Sequence, residues 1–210
     1  MTKSRRQRVY DSNRIEIIKA ARTVFAQKGY DKSTISEIAK EADFSVGTLY
    51  NFFESKKDLF EALQESEFSI IIENLQNLNE KYPNPMERML ISFDWVFELY
   101  VNKEDLMKLW FDTTGCPFHN VNLTKSQTRL KDEVFNIIQN NFKQAIDEGY
   151  IKDLDPYYLS IGIHSLMYSY LYDFIENPGK FTLKEIINFA KKIFFESVVT
   201  EKGKFELTEK

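Results

Sequence analysis

The stretch Thr34–Phe53, TISEIAKEADFSVGTLYNFF, admits few folds. Thr34 and Glu37 have the spacing of a capping box, so a helix starts after Thr34. Ile35, Ile38, Ala39 and Ala42 then share one helical face. Asp43-Phe44-Ser45 breaks the pattern. Ser45 is a good N-cap, and Val46, Leu49 and Phe53 recur at three- and four-residue spacing along a second short helix. The turn between the two needs a residue that tolerates a left-handed backbone. Asp43 does so, although Gly would suit better. Ala39 is small where two crossing helices must approach, and Leu49 is apolar where the second rests on the first. This is the logic of a helix-turn-helix, whose second helix fits the DNA major groove.

The flanks supply what such a pair needs for support. A helix is predicted from about Ser12 to Lys28, with Ile15, Ile18, Ala21, Val24 and Phe25 as its apolar stripe and Gly29 ending it. Arg22 lies at the edge of that stripe, where its stem packs while its charge stays in water. Residues 1–10 read as a disordered arm whose Arg5, Arg6 and Arg8 are able to follow phosphates. Ser55 and Asp58 form a variant capping box that opens a long helix running to about Lys81. At ~1.5 Å per residue it spans ~40 Å.

On the second short helix, Leu49 and Phe53 face the core. Val46, Gly47, Thr48, Tyr50 and Asn51 are left on the outer side, at the end of a recognition helix that meets base edges. Thr48 and Asn51 have hydrogen-bonding groups for bases, and Val46 suits a thymine methyl. Gly47 lets the backbone approach the duplex, and the Tyr50 hydroxyl suits a phosphate. Lys56 adds a positive charge beside free amides at a helix start. Thr34 and Ser45, at the two helix starts, complete the expected DNA-contacting set.

Ala20-Ala21, Phe25, Gly29-Tyr30, Thr34, Ile38-Ala39, Ser45, Gly47, Leu49-Tyr50, Phe53 and Ser55-Lys56 together resemble the TetR family of bacterial transcriptional repressors. The resemblance covers roughly the first 60 residues, and beyond them only the helical layout agrees. The chain departs from the family at Asp43, where Gly is usual. The resemblance implies a phosphate contact from Lys56, a homodimer on a palindromic operator, and release by a small hydrophobic or aromatic ligand.

Further along, Tyr82-Pro83-Asn84-Pro85 is a break. Helices are predicted at 86–101, 104–113, 124–148, 156–177 and 182–199, with Thr182 and Glu185 as a capping box and 200–210 as a fraying tail. The fold class is all-α with about nine helices. Residues 1–54 make a three-helix DNA-binding domain with its basic arm, and residues 55–210 a helical ligand-binding and dimerisation domain. Residues 85–195 hold 20 aromatics. Most of these belong to a packed core. Trp95, Tyr100, Trp110, Phe111, Phe142, His164, Tyr168 and Tyr172 are the candidates for a pocket. Leu159, Ile163, Leu166 and Tyr170, with Ile186, Phe189, Ile193 and Phe194, make the last two long helices apolar on more than one side. That pattern is expected of buried helices or of a subunit interface.

The net charge of −4 is unevenly distributed. Residues 1–60 hold 12 Lys/Arg against 8 Asp/Glu, a net +4, and the rest is −8. A basic end on an acidic body fits DNA contact by one end. One cysteine, Cys116, precludes an intramolecular disulfide and fits a reducing, cytoplasmic setting. The basic, polar start is no signal peptide, and no apolar run is long enough for a membrane span. An enzyme is disfavoured, because no nucleophile elbow or phosphate loop is present. Asp112, Cys116 and His119 lie close enough for a metal, but a simple loop accounts for them better, and neither metal nor cofactor is expected. A helical protein-interaction module without specific DNA binding is the main alternative. The expected partners are an operator duplex, an apolar effector and a second copy of the chain, with no membrane.

Overall fold

The computed structural model describes residues 4–105, 107–108 and 123–208, with side chains described through 205. It is all-α, and nine helices are delimited among these residues: α1 (Arg5–Lys28), α2 (Ile35–Glu41), α3 (Val46–Tyr50), α4 (Lys56–Lys81), α5 (Pro85–Val101), α6 (Lys125–Asp147), α7 (Pro156–Glu176), α8 (Leu183–Val198) and α9 (Glu201–Thr208). None is long and apolar enough to cross a membrane. The only extended pairing among the described residues is one bridge, Ile151 to Val199. The predicted helix at 104–113 and the loop after it lie largely outside the described residues, as do Trp110, Phe111, Asp112, Cys116 and His119.

The chain divides into two compact units, one formed by 1–67 with 105–127 and the other by 68–104 with 128–210. The division falls inside α4, whereas the sequence suggests it just before that helix. In the first unit, α1, α2 and α3 meet the amino-terminal half of α4. Ile17, Ala21 and Phe25 of α1, Ile38 of α2, Leu49 of α3, Phe53, and Leu59 and Leu63 of α4 are buried. Phe25 meets Phe60 edge-on at 5.4 Å, an arrangement that adds to area burial.

Two expectations for α1 need correction. The helix begins at Arg5, capped by Ser4, so the arm is helical. Ile15 is 53% exposed, and Ile17 takes the core position, because the buried face is set by Ile17, Ile18, Ala21, Val24 and Phe25. Arg22 lies at the edge of the stripe with its side chain 32% exposed, and its guanidinium pairs with Glu67 of α4, whose side chain is only 3% exposed. The helix ends at Gly29 with φ +78, a backbone open to glycine.

The second unit packs α5, α7 and α8 around Met86, Phe93, Phe97, Phe142, Leu171, Phe194 and Phe195. Arg88 is 5% exposed and ties this unit together. It donates to the carbonyls of Tyr82 and Pro83 at 2.9 Å, to Asn141 Oδ1 at 3.2 Å and to Gln144. Desolvation lowers its pKa. Carbonyl and amide oxygens accept its hydrogen bonds where water does not reach.

The tail, expected to fray, is ordered as α9. Thr200 N–H donates to the Tyr150 carbonyl at 2.9 Å, and Lys202 Nζ donates to the Glu148 carbonyl at 2.7 Å. Gly203 makes this docking possible, since a Cβ there would lie 2.2 Å from the Tyr150 carbonyl oxygen.

Candidate nucleic-acid interface

α2 and α3 are seven and five residues long, below the length at which a helix is stable alone. Caps and packing hold them. At α2, Thr34 Oγ1 accepts from Glu37 N–H at 3.2 Å, and Glu37 Oε2 accepts from Thr34 N–H at 2.9 Å. Lys28 Nζ adds a contact to Glu37 Oε1 at 2.6 Å. That lysine, with the Thr34 donors, lowers the Glu37 pKa to about 2. At α3, Ser45 Oγ accepts from Thr48 N–H at 3.0 Å and pairs with Thr48 Oγ1 at 2.8 Å. Asp43 turns the chain between them with φ +57, the left-handed geometry expected of it. Leu49 and Phe53, 1% and 2% exposed, fasten α3 to the unit.

Packing α3 through these two residues leaves one face outward. Ser45, Val46, Gly47, Tyr50 and Asn51 are exposed, Thr48 is half-buried, and Thr34 is exposed at the start of α2. A Cβ on Gly47 would meet only Ser45 Oγ, at an unstrained 3.8 Å. The fold therefore does not require glycine there. The outward face combines a bare backbone, a methyl-bearing Val46, the Thr48 and Tyr50 hydroxyls and the Asn51 amide. Each is a group that base edges or phosphates accept.

Lys56 is placed differently from the expectation. Its ammonium donates to the carbonyls of Tyr30 at 2.7 Å, Ser33 at 3.0 Å and Asp31 at 3.4 Å. It also sits 4.4 Å from the centre of the Tyr30 ring. An ammonium has three donors, and all three are turned inward. Lys56 thus anchors the α1–α2 connection to the start of α4. Ser55 caps that helix through Asp58 N–H at 3.1 Å, while Asp58 reaches back to Glu54 N–H at 2.9 Å.

The candidate pocket and interface residues are dispersed. Phe142 is 1% exposed and belongs to the core of the second unit, against Phe194 at 6.0 Å. Trp95, Tyr100, His164 and Tyr168 are half-buried, His164 lies 6.0 Å from the Phe135 ring, and Tyr172 is exposed. A charged groove of about 370 Å³ between α5 and α8, lined by Glu87, Asp94, Lys191, Lys192 and Glu196 among others, contains none of them. Charge patterning on two helices distant in sequence gave no sign of it. Of the expected interface set, Leu159, Ile163, Ile186 and Phe194 are buried in the chain's own core. Phe189 and Ile193 are exposed on α8, and Tyr170 meets Phe189 edge-on at 5.8 Å. Leu166 is half-buried beside the core.

Residues 17–63 match the family model of bacterial regulatory proteins, tetR family. Over 202 residues the chain is 22% identical to the HTH-type transcriptional regulator HbdR of Aromatoleum sp. (strain CIB), a span of 94% of this chain and 85% of that protein. Its fold is similar to that of the transcriptional regulator FadR from Bacillus subtilis in complex with stearoyl-CoA. The TM-score is 0.74 at 23% identity, over 86% of this chain and 97% of that one. It is also similar to SmeT, the repressor of the Stenotrophomonas maltophilia multidrug efflux pump SmeDEF, with a TM-score of 0.72 at 18% identity over 90% and 91%. At these identities the structural likenesses establish the fold. The matched residues span α2, α3 and the parts of α1 and α4 that support them, so this amino-terminal part of the chain is similar to the bacterial regulatory proteins of the tetR family.

Proposed function

We propose that the chain is a cytoplasmic, homodimeric repressor that binds a palindromic operator through α3 and is released by a small hydrophobic or aromatic effector. The observation that carries DNA contact is the outward face of α3, where Gly47 answers no need of the fold and short polar groups surround it. Thr48 and Asn51 read bases, Val46 packs on a thymine methyl and Tyr50 bonds a phosphate. Thr34 and Ser45 serve first as caps, and their exposed positions bring the α2 and α3 amino ends to the backbone.

A dimer sets two copies of α3 one DNA turn apart, which is what reading a palindrome requires. Phe189, Ile193, Tyr170 and Leu166 are among the apolar groups of α7 and α8 that the monomer leaves wholly or partly uncovered, and they supply its interface. An effector held by half-buried aromatics of the second unit, Trp95, Tyr100 and Tyr168 among them, acts on α3 through α4, which runs from one unit into the other. The stearoyl-CoA seen with FadR from Bacillus subtilis supports an acyl-type effector. SmeT, named as a repressor, supports that mode of action.

The test is duplex binding after selection from a random-sequence pool. Thr48→Ala is expected to lower the ratio of selected-site to scrambled-site affinity by about 10-fold, the value of ~1–3 kcal/mol per base contact. A chain that binds neither duplex with salt sensitivity is an interaction module instead.

A further inference from the structure

The groove between α5 and α8 lies wholly within the second unit and measures about 370 Å³. Small-molecule sites run from roughly 300 to 1,000 Å³. Its two walls are fixed to each other. Phe93 of α5 meets Phe195 of α8 edge-on at 5.9 Å in the core. Lys191 Nζ of α8 donates to Asp94 Oδ2 of α5 at 2.7 Å and joins the same two helices. The fold thus forms the groove without help from a ligand.

Its lining is of two kinds. Leu90 is buried and Ile91 half-buried, and together they make an apolar wall on α5. Lys192 and Glu196 bring opposite charges from α8. Both are exposed, and neither is ion-paired among the described residues. Lys191 differs, because Asp94 matches its charge. Lys192 and Glu196 stand four residues apart with the lysine first. In that order a helical pair attracts more weakly than in the reverse order. A ligand that carries both charges therefore meets little competition for them. The two stand ~6 Å apart along the helix at ~1.5 Å per residue, beside the apolar wall. One cation, one anion and an apolar surface suit a small zwitterion with an apolar body.

We propose that this groove binds an apolar α-amino acid. Lys192 donates to its carboxylate, Glu196 accepts from its ammonium, and its side chain lies on Leu90 and Ile91. A ligand with only one of the two charges forgoes a charge-assisted hydrogen bond. The site is separate from the effector contacts proposed at Trp95, Tyr100 and Tyr168, none of which lines it. It does not depend on the reading of α3.

The experiment is calorimetric titration of the full chain with L-phenylalanine. Phenethylamine, which lacks the carboxylate, and phenylpropionate, which lacks the ammonium, are titrated alongside. Phenylalanine is expected to saturate a single site per chain. The other two are expected to bind at least about tenfold more weakly, the worth of one charge-assisted hydrogen bond. Lys192→Met is expected to weaken phenylalanine by a similar factor and to leave phenethylamine unchanged. Glu196→Gln is expected to do the same while leaving phenylpropionate unchanged. Lys192→Arg keeps the charge and is expected to keep the binding. No saturable binding of phenylalanine, leucine or tryptophan overturns the proposal. Equal binding of the three phenyl compounds overturns recognition of a zwitterion. Phenylalanine binding that Lys192→Met and Glu196→Gln both retain puts the ligand elsewhere and overturns the site. A loss in Lys192→Met that comes with a lowered melting temperature, and that Lys192→Arg does not recover, overturns the role of the charge.

Discussion

Asp43 shows how far one residue is legible. The turn between α2 and α3 requires a left-handed position, and Asp43 occupies it at φ +57. A residue with a Cβ is strained there by roughly 1–2 kcal/mol, which Asp offsets in part. Asp43→Gly is therefore expected to raise stability by about 0.5–1 kcal/mol in denaturant titration, and Asp43→Asn to change it little. If the negative charge also opposes a duplex, both variants bind DNA more tightly. A gain in Gly alone would assign the whole effect to the backbone. Glu37 was legible as a cap but not as a partner of Lys28, because a contact across a helix end depends on how α1 meets α2. Its folded pKa of about 2 lies below the ordinary 4.5. Its stabilisation is thus fully present above pH 4.5 and lost as pH falls from there toward 2. Melting curves between pH 6 and 2 should show this component, and Glu37→Gln should lack it. The capping carboxylate Glu185 is shifted in the same direction by Thr182.

At the scale of elements, local chemistry foretold most helix starts. Thr34, Ser45 and Thr182 cap where their side chains reach amides three residues on. The two ends of the chain were not foretold, because tertiary contacts order them. Tyr10 on Phe52 steadies the start of α1, and the Tyr150 carbonyl docks α9. Gly203→Ala forces a Cβ against that carbonyl and is expected to cost about 1–3 kcal/mol, read as a lowered melting temperature. Lys56 illustrates the limit of reading a helix start for its charge. A lysine beside free amides suggests a phosphate, yet here the ammonium is spent on the α1–α2 connection. Lys56→Met is expected to lower the melting temperature of the protein while leaving the salt slope of DNA binding unchanged. A slope lower by ~0.9 with unchanged melting would restore the phosphate role.

For the whole molecule, the sequence announced an all-helical chain with an amino-terminal helix-turn-helix, and the family match at residues 17–63 agrees. It did not separate core from surface in α7 and α8. Apolar residues on two sides of a helix look alike whether they meet the same chain or another, and Ile163 and Phe194 proved to be core while Phe189 and Ile193 did not. The variant Phe189→Glu/Ile193→Glu is expected to sediment as a monomer with unchanged helical content, since both side chains are exposed. A stable dimer would move the interface elsewhere. The account turns on whether the outward face of α3 meets DNA, and Gly47 separates that role from folding most cleanly. Nothing among the described residues opposes a methyl group there, and alanine stabilises a helix by roughly 0.5–1 kcal/mol relative to glycine. The measurement is Gly47→Ala, followed by melting temperature and by duplex affinity on the same preparation. The account predicts an equal or higher melting temperature together with at least about tenfold weaker binding. Unchanged affinity in a protein of unchanged stability would contradict it.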